Sequence, residues 1–586
     1  MATEELLKEF PPITTAEWEA AIKADLKGAD YVKKLVGQTP EGLAVKPYYR
    51  AEDLAAVAAL DAAPGSFPYL RGTSAAGGWL ITEEIAEADP EKANAAARAA
   101  IAAGAEQVAF TGTLIANLSD LGLALAGLDE IPVHFASATP ALLTLVVERL
   151  TQRPQTATIS SGWNPLEDAD FAAQLLAKLP AKLVPFTIDG ASFEESGATS
   201  VEEVGFTLAA GVDYLAAMTA RGIGVDQAAA AVGFHFAMGA NFFFQIAKLR
   251  AFRSVWAQAV AGFGGSMGVA QARVAARTSR WNMAVYDAHN NILRGTTEAL
   301  SAILGGANSI SIAAYDECFR TPNEASKRLA RNTQLVLKQE AQLGRVADPG
   351  GGSYYLETLT DYLGRKGWEL LQKIESVGGY QKASADGIVA GMLAQSMGAR
   401  NKMIAQRRNV LTGVNQFVNA QEKVLDAIDA ERIDSVRRAA QPFERLRLRT
   451  ERHAKTTGKS PKILLAEMGD VKLRGLRSQF ASDFLACAGF PLAKQRFDQP
   501  EAVAAAEADL IVLCSSDPEY PALAAALLTA LRAAGRTTPV IVAGNPDSAE
   551  ELKAAGVADF VHIRTNPIEF LTRWQQQLGV ATGNEA

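Results

Sequence analysis

The chain has 586 residues, enough for two or more domains with cores of their own. Its composition, 48% hydrophobic and 21% charged, is that of an ordinary soluble protein, and a net charge of −8 argues against nucleic acid as the main partner. The three cysteines, Cys318, Cys487 and Cys514, lie far apart, with neither metal-site spacing nor the density of a disulfide framework. The opening stretch MATEELLKEFPPITTAEWEAAIKADL lacks the basic-then-apolar order of a secretory signal. With no apolar run long enough to span a bilayer, a cytoplasmic protein with no membrane partner is expected.

Residues 1–50 read as an N-terminal arm without an evident core. From about residue 100 short β-type runs alternate with long amphipathic segments. The runs are EQVAF, IPVHFAS, TATISS, LVPFTID, AVGFHF, ARVAA, NSISIAA and GRVAD. Eight β-then-α units in series over roughly 250 residues predict a closed (β/α)8 TIM barrel. Its strands are expected between about residues 100 and 350, within a domain of residues 51–380. Residues 381–460 read as a helical linker, whose basic end FERLRLRTERHAKTTGKSP is a solvated face rather than a nucleic-acid patch. Five further runs, KILLAE, PLAKQRF, LIVLCSS, PVIVAG and FVHIR, predict a flavodoxin-like, doubly wound sheet over residues 461–586. Ligands of such sheets sit beyond the carboxyl ends of the strands, so MGDVKLRG, LCSSDPEY and VAGNPD are the candidate ligand loops. The histidines His134, His235, His289, His453 and His562 fall in separate units and predict no metal cluster. His235 reads as a satisfied core or rim residue.

The segments FAMGANFFFQIAKLRAFRSVWA (236–257), HNNILRGTTEALSAILGGANSISI (289–312), RLARNTQLVLKQEAQLGRVADPGGGSYYLETLT (328–360) and RTERHAKTTGKSPKILLAEMG (449–469) resemble the methylmalonyl-CoA mutase family. The resemblance implies a barrel that binds an acyl-CoA ester along its axis and a C-terminal domain that presents adenosylcobalamin. The reaction it implies is a radical 1,2-rearrangement between succinyl-CoA and methylmalonyl-CoA, with the hard chemistry carried by the cofactor. The stretch FPPITTAEWEAAIKADLKGADYVKKLVGQTPEGLAVKPYYRAEDL is similar to the start of the family's inactive small subunits, which pair with a catalytic large subunit.

Against that family's pattern the reactive positions are altered. Its cobalamin loop reads D-x-H-x-x-G, with the His as lower axial ligand to cobalt; here Asp470 and Gly475 stand, but Lys472 takes the ligand position. An ammonium has no lone pair to donate, so an Asp470–Lys472 ion pair on a relic loop is expected. After the third strand of that sheet the family's S-x-L becomes Ser515, Ser516, Asp517, and after the fourth its Gly-Gly becomes Ala543-Gly544, followed by Asn545-Pro546. In the barrel, Ser74 stands after Arg71-Gly72 where the resemblance implies an aromatic. Ser192 in DGASFEESGA takes the place of the family's His in S-G-Y-H-x-x-E-A-G-A, and the family's R-T-H-C-Q-T-S-G is shortened to RTSRW. The expectation is a chain with no catalytic residue, metal or cofactor of its own, the adenosylcobalamin being carried by the partner subunit of a heterodimer. The alternatives are a self-sufficient acyl-CoA mutase with unusual site residues, or a CoA-ester binding module.

Overall fold

In the computed structural model, which describes residues 12–429 and 431–580, the arm comes first. Thr14 and Glu17 cap the helix Thr15–Asp25 reciprocally, yet that helix buries none of its residues. A short antiparallel hairpin follows, β1 (Gly37–Gln38) and β2 (Ala44–Val45). It lays Leu43 and Val45 on a cluster containing Phe244, Ala247, Leu359 and Leu363.

The barrel strands are β3 (Leu80–Ile85), β4 (Gln107–Phe110), β5 (Val133–Phe135), β6 (Ile159–Ser161), β7 (Leu183–Val184), β8 (Phe186–Asp189), β9 (Val232–Met238), β10 (Val274–Thr278) and β11 (Ser309–Ser311). All pair in parallel, in the order β7-β6-β5-β4-β3-β11-β10-β9-β8. The two ends of that order, β7 and β8, are consecutive in the chain across Pro185, so the ring closes on itself. Proline has no N–H for the ladder, which is why one barrel strand is broken in two. Past the break Thr187 N–H donates to Trp163 O at 3.0 Å. Alternation sets the two faces. In β9, Val232, Phe234, Phe236 and Met238 point into the helix layer, where Phe234 meets Phe252 and Trp256 edge-on, each at 4.7 Å. The intervening Gly233, His235 and Ala237 face the lumen.

Two expectations are corrected. The first strand is Leu80–Ile85, which lies outside the eight predicted runs, and GRVAD (344–348) is no strand. Gln342 turns the chain at φ +56° and Leu343–Arg345 is a single 3-10 turn. The barrel therefore runs from Leu80 to Ser311, earlier at both ends than expected. With Leu80–Ile85 already pairing to β11, the ring offers GRVAD no free edge.

Beyond the barrel, the helix Tyr354–Glu375 packs on Ser200–Ala220 and Phe242–Gly262. The linker is helical only at its ends, Tyr380–Ala385, Ile388–Ala405 and Gln441–Thr457; no helix forms among the described residues of 406–440. Carboxylates of the last helix anchor this irregular segment through two backbone amides and one buried guanidinium. Glu451 accepts from Val424 N (3.0 Å) and Leu425 N (3.1 Å), and Glu444 binds the buried Arg438 at 2.7 Å.

The C-terminal sheet comprises β12 (Ile463–Glu467), β13 (Leu492–Arg496), β14 (Leu510–Cys514), β15 (Val540–Ala543) and β16 (Asp559–Val561), all parallel, ordered β13-β12-β14-β15-β16. This is the flavodoxin-like order, and β14 and β15 are buried on both faces, as their unbroken apolar runs require. The domain is joined to the barrel through one core in which Trp281, Ala284, Met397 and Phe443 meet Phe484, Cys487, Phe490 and Trp574. Among the described residues no helix is long and apolar enough to cross a membrane.

Candidate functional site

Three loops leave the carboxyl ends of β12, β14 and β15, the edge at which such sheets take ligands. In the first, the Asp470 carboxylate caps the helix Val471–Leu485, accepting from the backbone N–H groups of Lys472 (3.0 Å) and Leu473 (2.7 Å). The expected Asp470–Lys472 ion pair does not form, because the carboxylate is turned to main chain. The Lys472 ammonium is exposed and makes no ion pair among the described residues. Gly475 lies inside that helix, where an added Cβ would meet nothing within 4 Å. No local packing demands glycine there, although it costs a helix about 1 kcal/mol relative to alanine.

The second loop is filled by a residue the sequence reading did not single out. Glu519 Oε2 accepts from the Ser515 hydroxyl (2.8 Å), the Ser516 hydroxyl (2.5 Å), Ser516 N (3.3 Å) and Asp470 N (3.0 Å). Chiefly the Ser516 hydroxyl, then the Asp470 amide and the Ser515 hydroxyl, hold its carboxyl down to about 2. Gly469, at φ +69°, is required beneath it: a Cβ there would stand 2.5 Å from Glu519 Oε2. The Ser-x-x-Glu spacing of Ser516 and Glu519, a capping-box signature, was the available signal. In the third loop the buried Tyr520 hydroxyl donates to Ala543 O at 2.6 Å and accepts from Ser515 N at 3.1 Å, tying β15 to β14. An Arg477–Asp517 ion pair of 2.7 Å lies against Gly544, where a Cβ would stand 3.1 Å from Arg477 Nη1. The structure thus gathers Asp470, Ser515, Asp517, Ala543 and Gly544 at one edge and spans the space between them with the chain's own side chains.

Ser74 and Ser192 are not brought together. Ser74 precedes β3, at the amino-terminal end of the barrel, its exposed Oγ accepting from Ala76 N at 3.1 Å. Ser192 follows β8 at the opposite end, its hydroxyl donating to Asp189 O at 2.7 Å. Between these ends the lumen is lined by polar groups on inward-facing strand positions. His235 Nδ1 donates to Asp189 Oδ1 at 2.9 Å, and His134 Nδ1 lies 2.9 Å from Ser160 Oγ. Burial, reinforced by the nearby His235, holds the His134 imidazole down to about 4. Burial alone would raise the Asp189 carboxyl, but the His235 hydrogen bond and the charges of His235 and Arg277 bring it below its ordinary value. Arg277 pairs with Glu195, and Ser311 donates to Glu84 at 3.0 Å. The His235 and Asp189 side chains remain 28% and 48% exposed, so the lumen is open and not a packed core. At the amino-terminal mouth a depression of about 480 Å³ is lined by Gly77, Gly78, Trp79, Lys338, Gly344 and Arg345. The sequence reading set His134 and His235 aside as scattered; closure of the ring brings them within electrostatic reach of one another. Among the described residues no three His, Cys, Asp or Glu side chains are placed to hold a metal ion.

The model of the methylmalonyl-CoA mutase family matches residues 38–118 and 169–469, ending just before Asp470. The methylmalonyl-CoA mutase small subunit of Porphyromonas gingivalis is 33% identical, over 98% of this chain and 99% of its own length. That of Streptomyces virginiae is 31% identical, over 98% of both chains. The methylmalonyl-CoA mutase of Escherichia coli is 30% identical over 74% of this chain and 68% of its own length. On the family match and this near-complete coverage, the chain belongs to the methylmalonyl-CoA mutase family.

Proposed function

We propose that this chain is the non-catalytic small subunit of an adenosylcobalamin-dependent methylmalonyl-CoA mutase, a cytoplasmic heterodimer. Its role is to stabilise a catalytic large subunit, which carries the cofactor and interconverts succinyl-CoA and methylmalonyl-CoA. The observation that carries this reading is the edge of the C-terminal sheet. Adenosylcobalamin, as the family holds it, needs an axial imidazole on a free loop and open space for its nucleotide tail. The residues here do not fit that group. Lys472 offers an ammonium from the first turn of a helix, Asp470 is committed as that helix's cap, and Glu519, Tyr520 and the Arg477–Asp517 pair occupy the edge. In the barrel, the hydroxyl at position 192 is tied to a backbone carbonyl and cannot act as the partly protonated acid that an imidazole can be. The purified single chain should show neither corrinoid absorbance nor mutase activity. Both should appear when it is co-purified with a longer relative carrying D-x-H-x-x-G. A corrinoid-bound, active single chain would establish the self-sufficient mutase instead.

The arm supports the partner. Ile13, Trp18, Ala21 and Ile22 line an apolar groove of about 520 Å³ on a helix with no fully buried residue, and Trp18, though it packs on Tyr48, is 48% exposed. Deleting residues 1–49 should weaken association with the large subunit at least tenfold, read by co-sedimentation at low protein concentration. Unchanged association would refute that role for the arm.

A second reading, retained CoA-ester binding, is favoured by the open polar lumen and the depression at its mouth. The two readings separate in a thermal titration of the chain without partner. A bound ester at 100 times its Kd adds about 2.7 kcal/mol to stability. No saturable rise in Tm is expected from the first reading alone.

A further inference from the structure

Three carboxyl groups, Glu194, Glu203 and Glu298, are buried near the carboxyl ends of β9 and β10. Two of them have a cation of their own: Glu203 takes Lys248 at 2.6 Å, and Glu194 takes Arg400 at 3.2 Å. Glu298, on the helix Asn290–Leu304 and 2% exposed, makes no ion pair among the described residues. Its oxygens accept from neutral donors, Asn282 Nδ2 at 3.0 Å and Ser279 N at 3.1 Å. Arg294, on the same helix, gives its guanidinium to Asn291 Oδ1 (2.7 Å) and Thr412 O (2.8 Å). Arg277 pairs with Glu195, and Arg280 with Glu317. A buried carboxylate without a counter-ion sheds its charge by taking a proton, and the Asn282 amide can turn its oxygen to receive that proton. Burial above all, helped by the Glu194 charge, raises the Glu298 carboxyl well above its ordinary value.

The charge of this group bears on one junction. Ser279, whose N–H binds Glu298, also donates its hydroxyl to Glu194 Oε2 and accepts there from Trp281 N, each at 3.1 Å. Trp281 carries the barrel into the core it shares with the C-terminal domain. Its ring is faced at 4.6 Å by the guanidinium of Arg400, the same group that binds Glu194. We propose that Glu298 and Glu194, bridged by Ser279, form a proton-operated latch between the barrel and the C-terminal domain. The latch is closed while Glu298 carries its proton. Ionised, Glu298 repels Glu194 across Ser279 and competes with it for Arg400, so the turn Ser279–Asn282 loosens its hold on Trp281. A carboxyl raised in the folded state stabilises fully below its unfolded value, and that contribution is lost as pH climbs through the raised one. The latch does not depend on the identity of the partner subunit and is tested on the full chain alone.

Global stability alone does not isolate the latch, because burial also raises the Glu203 carboxyl, to about 7, and the Glu317 carboxyl. The experiment is therefore local: hydrogen exchange of the full chain, corrected for the intrinsic amide rate at each pH, read in peptides covering residues 279–289 and 478–490. Between about pH 6 and about pH 8.5 the wild type should exchange about tenfold faster or more at this junction, while β4, β5 and β6 keep their protection. Glu298→Gln, which keeps the shape and cannot ionise, should hold its slow rate at both ends of that range. If Glu298→Gln does not fold, Glu298→Met, similar in length and uncharged, is measured in its place. A pH response in the variant equal to that of the wild type would overturn Glu298 as the group. A wild-type junction whose protection does not fall with pH, or falls only together with that of β4–β6, would overturn the latch.

Discussion

Replacing Glu357 by alanine should lower the unfolding free energy by about 3–5 kcal/mol, because it strands buried positive charge. The side chain is fully buried and faces Arg250 Nη2 at 2.9 Å and Arg71 Nη1 at 3.1 Å, while Gly352 N donates to it at 2.8 Å. Asp348 holds the same two guanidinium groups, at 3.0 Å from Arg250 Nη2 and 2.9 Å from Arg71 Nη1. Two cations and two anions thus balance in a dry pocket, and neither Arg250 nor Glu357 reaches solvent. Burial alone would raise the Glu357 carboxyl, but the Arg250 charge and hydrogen bond, the Gly352 amide and the Arg71 charge together hold it below its ordinary value. The glycines of DPGGGSYYLE belong to the same design. A Cβ on Gly351 would stand 2.2 Å from Arg71 Nη1 and one on Gly350 2.6 Å from Leu356, while Gly352 sits at φ +85°. That motif survives in this chain because it is a clamp between the barrel and the helix Tyr354–Glu375. Urea unfolding checks the claim: the midpoint of Glu357→Ala should fall with the slope unchanged, and Glu357→Gln should lose less. A loss under about 1 kcal/mol would mean the network is solvated and contributes little. Since the proposed reacting groups belong to the partner subunit, the variant should reduce the yield of assembled enzyme and leave its KM unaltered.

The eight-unit barrel was legible from alternation, but two compensating errors kept the count at eight. Leu80–Ile85 was passed over because its centre reads Thr-Glu-Glu, a polar run with no burial signal. The structure gives each carboxylate a reason: Glu83 points outward to pair with Arg331, and Glu84 points into the lumen beside Arg280 and Ser311. A strand whose two faces both carry charge is visible only when its partners are known. GRVAD shows the converse, an apolar run with β propensity and no edge to join, where topology overrides local preference. The C-terminal sheet was read in full, four of its strands being apolar runs separated by turn residues and the fifth, Leu492–Arg496, a polar, exposed edge strand. Its ligand edge was read by motif positions alone, and so the residues that fill it, Glu519, Tyr520 and Arg477, went unnoticed. Contacts such as Glu519 to the Asp470 amide cross between strand ends, and no spacing along the chain encodes them. The lumen histidines were missed for the same reason.

Lys472→His should not by itself create a cobalamin site. In the family's loop the Asp of D-x-H-x-x-G would hold the far ring nitrogen of the axial His, fixing its orientation. Here Asp470 already gives Oδ1 to the Lys472 and Leu473 amides as a helix cap, and releasing it would cost the helix about 1 kcal/mol. A histidine at 472 would sit on the exposed first turn beside Val471, which is 72% exposed, with nothing to orient its ring. Room for the nucleotide tail is the larger obstacle. Opening the edge means breaking the Arg477–Asp517 pair, the Tyr520 bridge between β14 and β15, and the four contacts to Glu519. Each polar group left unsatisfied on burial beside the tail costs about 1–3 kcal/mol, so three or more such groups offset most of what one axial ligand adds. Titration of Lys472→His with adenosylcobalamin should therefore give no base-off, histidine-bound spectrum at ligand concentrations that saturate a catalytic large subunit. Adding Glu519→Ala and Asp517→Ala should move the variant toward binding, since those changes remove carboxylates from the tail's path. Tight binding by Lys472→His alone would mean that the edge opens at little cost, and that the loops after β14 and β15 do not exclude the cofactor.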